Sequence, residues 1–181
     1  GALAMAGCGS YSKIEGFGFI PVTCFSQALT TFIGQNLGAK EYDRTKKGAL
    51  FGTICGIGIA EVIGIAVFFF SPYLIAAFGG DQKAIEYGIA EAHTIALFYC
   101  LLAFSHCMAA IQRGAGRSIV PMFVMMLVWC GVRVTYISIV IRIIPVINVI
   151  YWAYPLTWFI SSVIFLILFL KTDWIHGLEK Q

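Results

Sequence analysis

A few ionisable side chains stand inside long apolar runs of this sequence, where placing a charge is expensive. Glu61 and Arg133 lie near the middle of two such runs, and Glu91 and His93 lie near the start of a third. A carboxylate in such surroundings binds a proton more readily or pairs with a cation. We therefore take these four residues as candidates for ion coupling beside a water-filled cavity.

Counting along the runs places the four groups at a similar depth. Glu61 and Arg133 each lie about 13 or 14 residues from the end assigned below to the cytoplasm, or about 20 Å at 1.5 Å per residue. Glu91 and His93 reach a comparable level from the opposite side. We predict that Glu61 or Glu91 titrates or pairs with Arg133; the alternatives are a static Glu–Arg pair and a Glu91 solvated at the surface. His106, in the inner half of the third run, is interpreted as a hydrogen-bonded interior histidine.

The apolar runs that hold these residues are predicted to be transmembrane helices. Of the 181 residues, 60% are hydrophobic and 12% charged, against about 25% charged in a soluble domain. Runs of about 18 or more apolar residues can span a bilayer, and lipid offers no partner for an open strand edge. The composition therefore excludes a soluble domain and predicts an all-α polytopic bundle. Its five spans are predicted at about 17–37, 48–70, 88–111, 119–141 and 146–170.

The flanks of the spans are also predicted. Residues 1–16 are expected to be an extracellular lead-in, with Pro21 in the first turn of the first span, where a missing N–H does no harm. Ser71-Pro72 is expected to end the second span, and residues 171–181 to form a cytoplasmic tail. Because the chain does not begin with Met and its first span follows almost at once, we expect it to be a fragment.

Lysine and arginine in the connecting segments set the orientation. Eight lie on one side of the predicted membrane and three on the other, with Arg133 left inside a span. By the positive-inside rule the side with eight is cytoplasmic, so the first span runs inward and the C-terminus is cytoplasmic. The eight are Lys40, Arg44, Lys46, Lys47, Arg113, Arg117, Lys171 and Lys180, and the three are Lys13, Lys83 and Arg142.

Two features concern helix packing. Small residues recur at every fourth position of the second span, at Gly48, Gly52, Gly56, Ala60 and Gly64. Such a stripe lets another backbone approach closely, which favours packing inside a bundle; a surface along which helices slide is the alternative. Pro155, well inside the fifth span, predicts a kink that is either plain architecture or a gating element.

The six cysteines show neither CxxC nor Cys/His metal spacing, and five lie within predicted spans, where cysteine behaves as a small apolar residue. We assign them no metal, disulfide or catalytic role. His93 and His106 are 13 residues apart and lack the partner spacing of a membrane-embedded enzyme, so we predict neither an enzyme nor a cofactor. The net charge of +3, without a clustered basic face, predicts no nucleic-acid partner.

Several polar side chains follow one side of the first span. We predict that Gln27, Thr31, Gln35 and Asn36, with Thr30, could face a substrate cavity. The alternative for each is a hydrogen bond across helices.

Separated stretches of the chain carry a family pattern. The first span closes with Gly-Gln-Asn-Leu-Gly-Ala (34–39) before a basic loop, after a Ser-Lys-Ile-Glu-Gly-Phe lead-in (12–17). Arg-Gly-Ala-Gly-Arg-Ser-Ile-Val-Pro (113–121) precedes Arg133, and Tyr-Pro-Leu-Thr-Trp (154–158) lies in the last span. In this order they resemble the multidrug and toxic compound extrusion (MATE) family.

The resemblance implies a transporter with twelve helices in two lobes, of which this chain is most of the C-terminal lobe. The acidic cation site of the family's N-terminal lobe would then lie outside this chain. The resemblance further implies export of small organic, often cationic, compounds across the plasma membrane, by antiport with H⁺ or Na⁺. The expected partners are membrane lipid and the N-terminal lobe of the same protein, and the expected mechanism is alternating access.

Three other functions stay open at this stage. A lipid-linked oligosaccharide flippase shares the architecture, but a strongly cationic central cavity would be expected and this half offers only Arg133. A structural membrane subunit without transport activity is the second. A membrane-embedded enzyme is the third, and the histidine spacing argues against it.

Overall fold

The computed structural model describes residues 1–175, and within them five helices are long and apolar enough to cross a membrane. The predicted all-α bundle of five spans is confirmed. The helical elements are α1 (Ala2–Gly38), α2 (Tyr42–Ala76), α3 (Gln82–Ile95), a 3₁₀ turn (Ala96–Phe98), α4 (Tyr99–Gly114), α5 (Ile119–Met125), a π-helical segment (Met126–Val132), α6 (Arg133–Ile143) and α7 (Asn148–Lys171).

Two of the five spans therefore contain a change of helix type. The third span is α3 followed by the 3₁₀ turn and α4, and the fourth is α5 followed by the π-helical segment and α6. Short 3₁₀ and π stretches inside a helix often mark functional positions. The apolar run lengths used to predict the spans did not detect either change.

Two predicted boundaries were wrong, because helices continue through proline. Residues 1–16 are helical from Ala2 onward, so Pro21 lies inside α1 rather than in its first turn. Buried Tyr11 and Ile14 anchor this early part of α1 in the core. The second span passes through Pro72 and ends at Ala76. Residues 176–181, which include the Lys180 used for the orientation, lie outside the described residues.

The bundle is built around α1, which packs against α2, α3 and α4, while α7 packs against α3 and α4. One apolar cluster lies around Tyr11, Ile95 and Trp158, and a second lies around Leu29, Ile111 and Phe165. The arm formed by α5, the π-helical segment and α6 packs chiefly against α7, and α6 has no buried residue.

The small-residue stripe of α2 lies in the interior, as both interpretations of the pattern predicted. Gly52, Gly56, Ala60 and Gly64 are buried. A Cβ atom built on Gly64 would lie 2.3 Å from the carbonyl oxygen of Ala96, so only glycine permits this approach to the 3₁₀ turn. The stripe therefore fixes α2 against the break in the third span.

Candidate ion and substrate site

A close crossing of α1 and α3 brings polar side chains of the two helices together. A Cβ atom on Gly7 would lie 2.1 Å from the Ala84 carbonyl oxygen, and one on Gly88 would lie 2.8 Å from the Gly7 carbonyl oxygen. Small residues at both positions let the backbones approach each other. The residues that follow on each helix, Cys8 on α1 and Glu91 on α3, thereby become neighbours.

Glu91 is the most deeply buried carboxylate of this region, at 4% exposure. The Cys8 thiol is a hydrogen-bond partner of the carboxylate, but Glu91 Oε2 has no partner among the described residues. Cys8 Sγ lies 3.9 Å from the Tyr151 hydroxyl, which donates to the Tyr87 carbonyl oxygen at 3.2 Å. A buried carboxylate oxygen without a donor favours binding of a proton or a cation.

A second carboxylate, Glu15, was not among the predicted site residues. It lies on the same face of α1 as Cys8 and Tyr11, because the three residues are spaced three and four positions apart. Glu15 also lines a cavity of about 260 Å³. The cavity walls also include Arg133 and the aromatic rings of Trp129 and Tyr154. Glu15 lies within electrostatic reach of Glu91 and of Arg133, so the structure brings two acidic groups and one basic group together.

Arg133 is held on its side of the cavity by contacts within the fourth and fifth spans. Its Nη2 and Nε atoms donate to Thr157 Oγ1 at 2.7 and 3.3 Å. The guanidinium carbon lies 4.3 Å from the ring centroid of Tyr154 and 5.9 Å from that of Trp129, which are cation–π distances. The arginine is therefore oriented without requiring a carboxylate partner.

A pair of tyrosines lies near the two acidic residues. The hydroxyl groups of Tyr11 and Tyr99 lie 3.0 Å apart, and both residues are almost fully buried. Each lies within electrostatic reach of Glu15 and Glu91. The tyrosine hydroxyls thus add polar groups near both carboxylates.

The structure gives Glu61 and His93 different surroundings from those predicted. Glu61 Oε2 accepts the backbone N–H of Cys100 at 3.2 Å, rather than pairing with Arg133. His93 is exposed, stacks on the Phe68 ring and lies with Nε2 at 3.1 Å from the Phe68 carbonyl oxygen. Of the four predicted groups, Glu91 and Arg133 belong to the polar cluster, and Glu61 and His93 contact backbone at the interface between α2 and the third span.

His106 contacts two residues that line the cavity, with its ring centroid 5.7 Å from that of Phe19 and 5.5 Å from that of Trp129. The prediction of an interior position is confirmed. The predicted hydrogen bonding is not seen at Nε2, which is buried without a partner in the part of the chain that the structure describes.

The predicted substrate residues of α1 divide into two groups. Gln27, Thr31 and Gln35 are exposed and, being four residues apart, share one face of the helix. Asn36 is buried, and its Nδ2 donates to the Phe32 carbonyl oxygen at 2.7 Å. Asn36 therefore stabilises the end of α1 and does not belong to the exposed polar face.

Sequence reasoning missed Glu15 because the residue was assigned to a segment outside the membrane. The signal that could have identified it is spacing: Cys8, Tyr11 and Glu15 recur at helical intervals upstream of Pro21. The cysteines are free thiols, and Cys8 is the one that lies against a carboxylate of the cluster. Within residues 1–175 no group of three or more His, Cys, Asp or Glu side chains could hold a metal ion.

Membrane-length helices around a buried carboxylate and an oriented arginine define a multi-pass membrane protein. The MatE family model matches residues 1–144, and the chain belongs to that family. The family that the sequence motifs resemble is therefore confirmed.

Individual relatives agree with this assignment. The chain is 30% identical over 124 residues to "Probable multidrug resistance protein NorM" of Thermotoga maritima, a match to 68% of this chain and 27% of that protein. It is 24% identical over 138 residues to "Probable multidrug resistance protein YoeA" of Bacillus subtilis, a match to 74% of this chain and 29% of that protein. The chain thus matches less than a third of the length of these relatives.

A solved structure shows the same fold. The "MATE transporter ClbM in complex with Rb+" matches with a TM-score of 0.87 and 18% identity, over 98% of this chain and 42% of that one. The fold of the five spans is therefore that of one part of a MATE transporter.

Proposed function

We propose that this chain forms one lobe of an efflux transporter that exports organic, often cationic, compounds in exchange for H⁺ or Na⁺. Membership of the MatE family supports the transport class, and two similar proteins carry the description of multidrug resistance proteins. Because the chain matches only part of these proteins, its partner in transport is the other lobe of the same protein. The lobe lies in the plasma membrane with its C-terminus in the cytoplasm.

The observation that carries the proposal is the unpartnered oxygen of Glu91, buried beside the Cys8 thiol. A carboxylate there needs a positive partner, and a proton or a monovalent cation provides one. The similar transporter solved in complex with Rb⁺ shows that a MATE fold can hold such a cation. We assign Glu91 and Glu15 as the residues that bind the coupling ion.

Arg133 supplies the difference in ion affinity that coupling requires. A carboxylate couples transport only if its affinity for the ion differs between the outward- and inward-open states. In the state described here Arg133 is bonded to Thr157 across the cavity from Glu15. Movement of α6 toward α1 would bring the guanidinium to Glu15 and displace the ion.

The exposed polar face of α1 is the surface that meets the substrate. Gln27 and Gln35 carry amide groups that lipid would leave without partners, whereas the Thr31 hydroxyl donates to the Gln27 carbonyl oxygen at 3.2 Å. A water-filled cavity between two lobes provides those partners. The face therefore points toward the other lobe.

The test uses the natural protein that contains this chain, reconstituted in liposomes with ethidium as an organic cation. Imposed Na⁺ and pH gradients identify the coupling ion. With the effective gradient, Glu91→Gln and Glu15→Gln are expected to lower driven efflux by about tenfold or more, the scale of an allosteric coupling free energy. Wild-type efflux in both variants would overturn the assignment.

Glu86→Gln is the matched control. Glu86 lies on the same helix as Glu91 but is exposed to solvent. Its neutralisation is expected to leave gradient-driven efflux unchanged. A loss equal to that of Glu91→Gln would indicate a general effect of charge on α3.

A further inference from the structure

α2 and the third span each contain one backbone irregularity at their shared interface. In each case a side chain of the opposite helix bonds to the backbone group that the irregularity leaves free. In the third span the N–H of Tyr99 donates to the Ala96 carbonyl oxygen, as a 3₁₀ turn requires. The N–H of Cys100, which follows, donates to Glu61 Oε2 of α2 at 3.2 Å. A side chain of α2 therefore caps the break in its neighbour.

The second irregularity lies in α2 and is satisfied by the third span. Pro72 has no N–H, so the Phe68 carbonyl oxygen lacks its intrahelical donor. His93 Nε2 lies 3.1 Å from this oxygen and must be the donor, since a carbonyl only accepts. Ser71 Oγ adds a second donor at 3.1 Å.

The two contacts are separated by the same number of residues on both helices. Glu61 and Phe68 are seven residues apart on α2, and His93 and Cys100 are seven residues apart on the third span. Seven residues correspond to about 10 Å of helix. The helices are thus joined at two points, two turns apart, and between these points Gly64 packs on the Ala96 carbonyl oxygen.

We infer that Glu61 and His93 are positioning residues, which fix the bend of the third span and make α2 and α3 move as one unit. The unit carries Glu91 two residues before His93, and Tyr99, the partner of Tyr11, one residue before Cys100. The inference rests on the proposed function, because the bend matters for transport through the position of Glu91. It replaces an ion-binding role for Glu61 and His93.

Paired substitutions separate positioning from ion coupling in the natural protein that contains this chain. Glu61→Gln keeps an oxygen that can accept from Cys100, whereas Glu61→Ala does not. We expect gradient-driven ethidium efflux and its pH profile to be unchanged in Glu61→Gln. In Glu61→Ala we expect efflux to fall by about fivefold, the factor that loss of a helix cap produces.

The same reasoning applies to His93. His93→Gln keeps a donor for the Phe68 carbonyl oxygen, whereas His93→Phe keeps only the ring that stacks on Phe68. We expect His93→Gln to retain efflux and its pH profile and His93→Phe to lose about fivefold. A pH profile displaced in His93→Gln would overturn the inference.

Hydrogen exchange measured by mass spectrometry gives a readout independent of transport. Exchange of residues 96–102 is expected to accelerate about fivefold in Glu61→Ala and to stay at the wild-type rate in Glu61→Gln. Loss of efflux in Glu61→Gln with unchanged exchange would assign Glu61 to ion coupling and overturn the inference. Wild-type efflux in both Glu91→Gln and Glu15→Gln would instead overturn the proposed ion site and leave the exchange result standing.

Discussion

The Glu15 carboxylate and the Arg133 guanidinium line the same cavity, yet the guanidinium donates its hydrogen bonds to Thr157 on the neighbouring helix. The cavity thus holds an acidic and a basic group without neutralising either by a direct bond to the other. Such an arrangement leaves the carboxylate available to a mobile cation. In the proposed function, the position of Arg133 sets how tightly that cation binds.

Removal of the Arg133 charge is expected to strengthen cation binding. Arg133→Gln takes away a positive charge that repels an entering cation, so the apparent affinity for Rb⁺ should rise by about fivefold. Titration with Rb⁺, followed by tryptophan fluorescence, reports on the site because Trp129 and Trp158 line the cavity. Arg133→Lys keeps the charge and serves as the control; an equal gain in both variants would contradict the electrostatic explanation.

The aromatic ring of Tyr154 is expected to matter more than its hydroxyl group. Its centroid lies 4.3 Å from the guanidinium carbon of Arg133, and a cation–π contact of this kind contributes about 1 kcal/mol. Tyr154→Leu should therefore lower thermal stability in detergent, whereas Tyr154→Phe should keep it. Melting curves of the two variants check this, and equal losses would point to the hydroxyl.

Two glycines of α2 should respond to alanine in opposite ways. Gly64→Ala places a methyl group against the Ala96 carbonyl oxygen, which should destabilise the protein by about 2 kcal/mol or more. Gly58→Ala meets no atom within 4 Å and should leave the melting temperature unchanged or raise it. A melting temperature that is equal in the two variants would contradict the close approach seen at the 3₁₀ turn.

The exposed polar face of α1 should be open to water in the natural protein. In a variant without native cysteines, Thr31→Cys is expected to react with a charged, membrane-impermeant thiol reagent, because a thiolate forms only where water reaches it. Leu50→Cys, on the exposed side of α2, should lie in lipid and stay unlabelled. Labelling of the Leu50 site alone would place the water-filled cavity on the wrong side of the bundle.

Apolar run length was enough to predict the number of spans, and the four-residue spacing of glycine was enough to predict the buried face of α2. Both features depend on the local sequence. The ends of the helices were predicted less well, because proline was expected to mark them and two helices continue through a proline. At Pro72 the helix continues because Ser71 and His93 satisfy the carbonyl oxygen that proline leaves free, and His93 comes from another helix.

The site was predicted only in part, for the same reason. Glu91 and Arg133 were predicted because a charged side chain inside an apolar run costs free energy and therefore needs a reason. The local sequence alone shows which residues meet this condition. The carboxylate that the structure brings within electrostatic reach of Arg133 is that of Glu15, and this depends on where α1 crosses α3 and how α7 holds Arg133. Glu61 is also a carboxylate inside an apolar run, so the sequence does not distinguish it from Glu91. In the structure, however, the Glu61 carboxylate accepts a backbone N–H.

One wall of the cavity is attached far less firmly than the others. The arm of α5, the π-helical segment and α6 carries Trp129 and Arg133 and packs mainly against α7. None of the residues of α6 is buried. A wall of this kind can tilt outward while the tightly packed helices opposite stay in place. The separation of Arg133 from Glu15 then depends on the tilt of this arm rather than on the packing of the core.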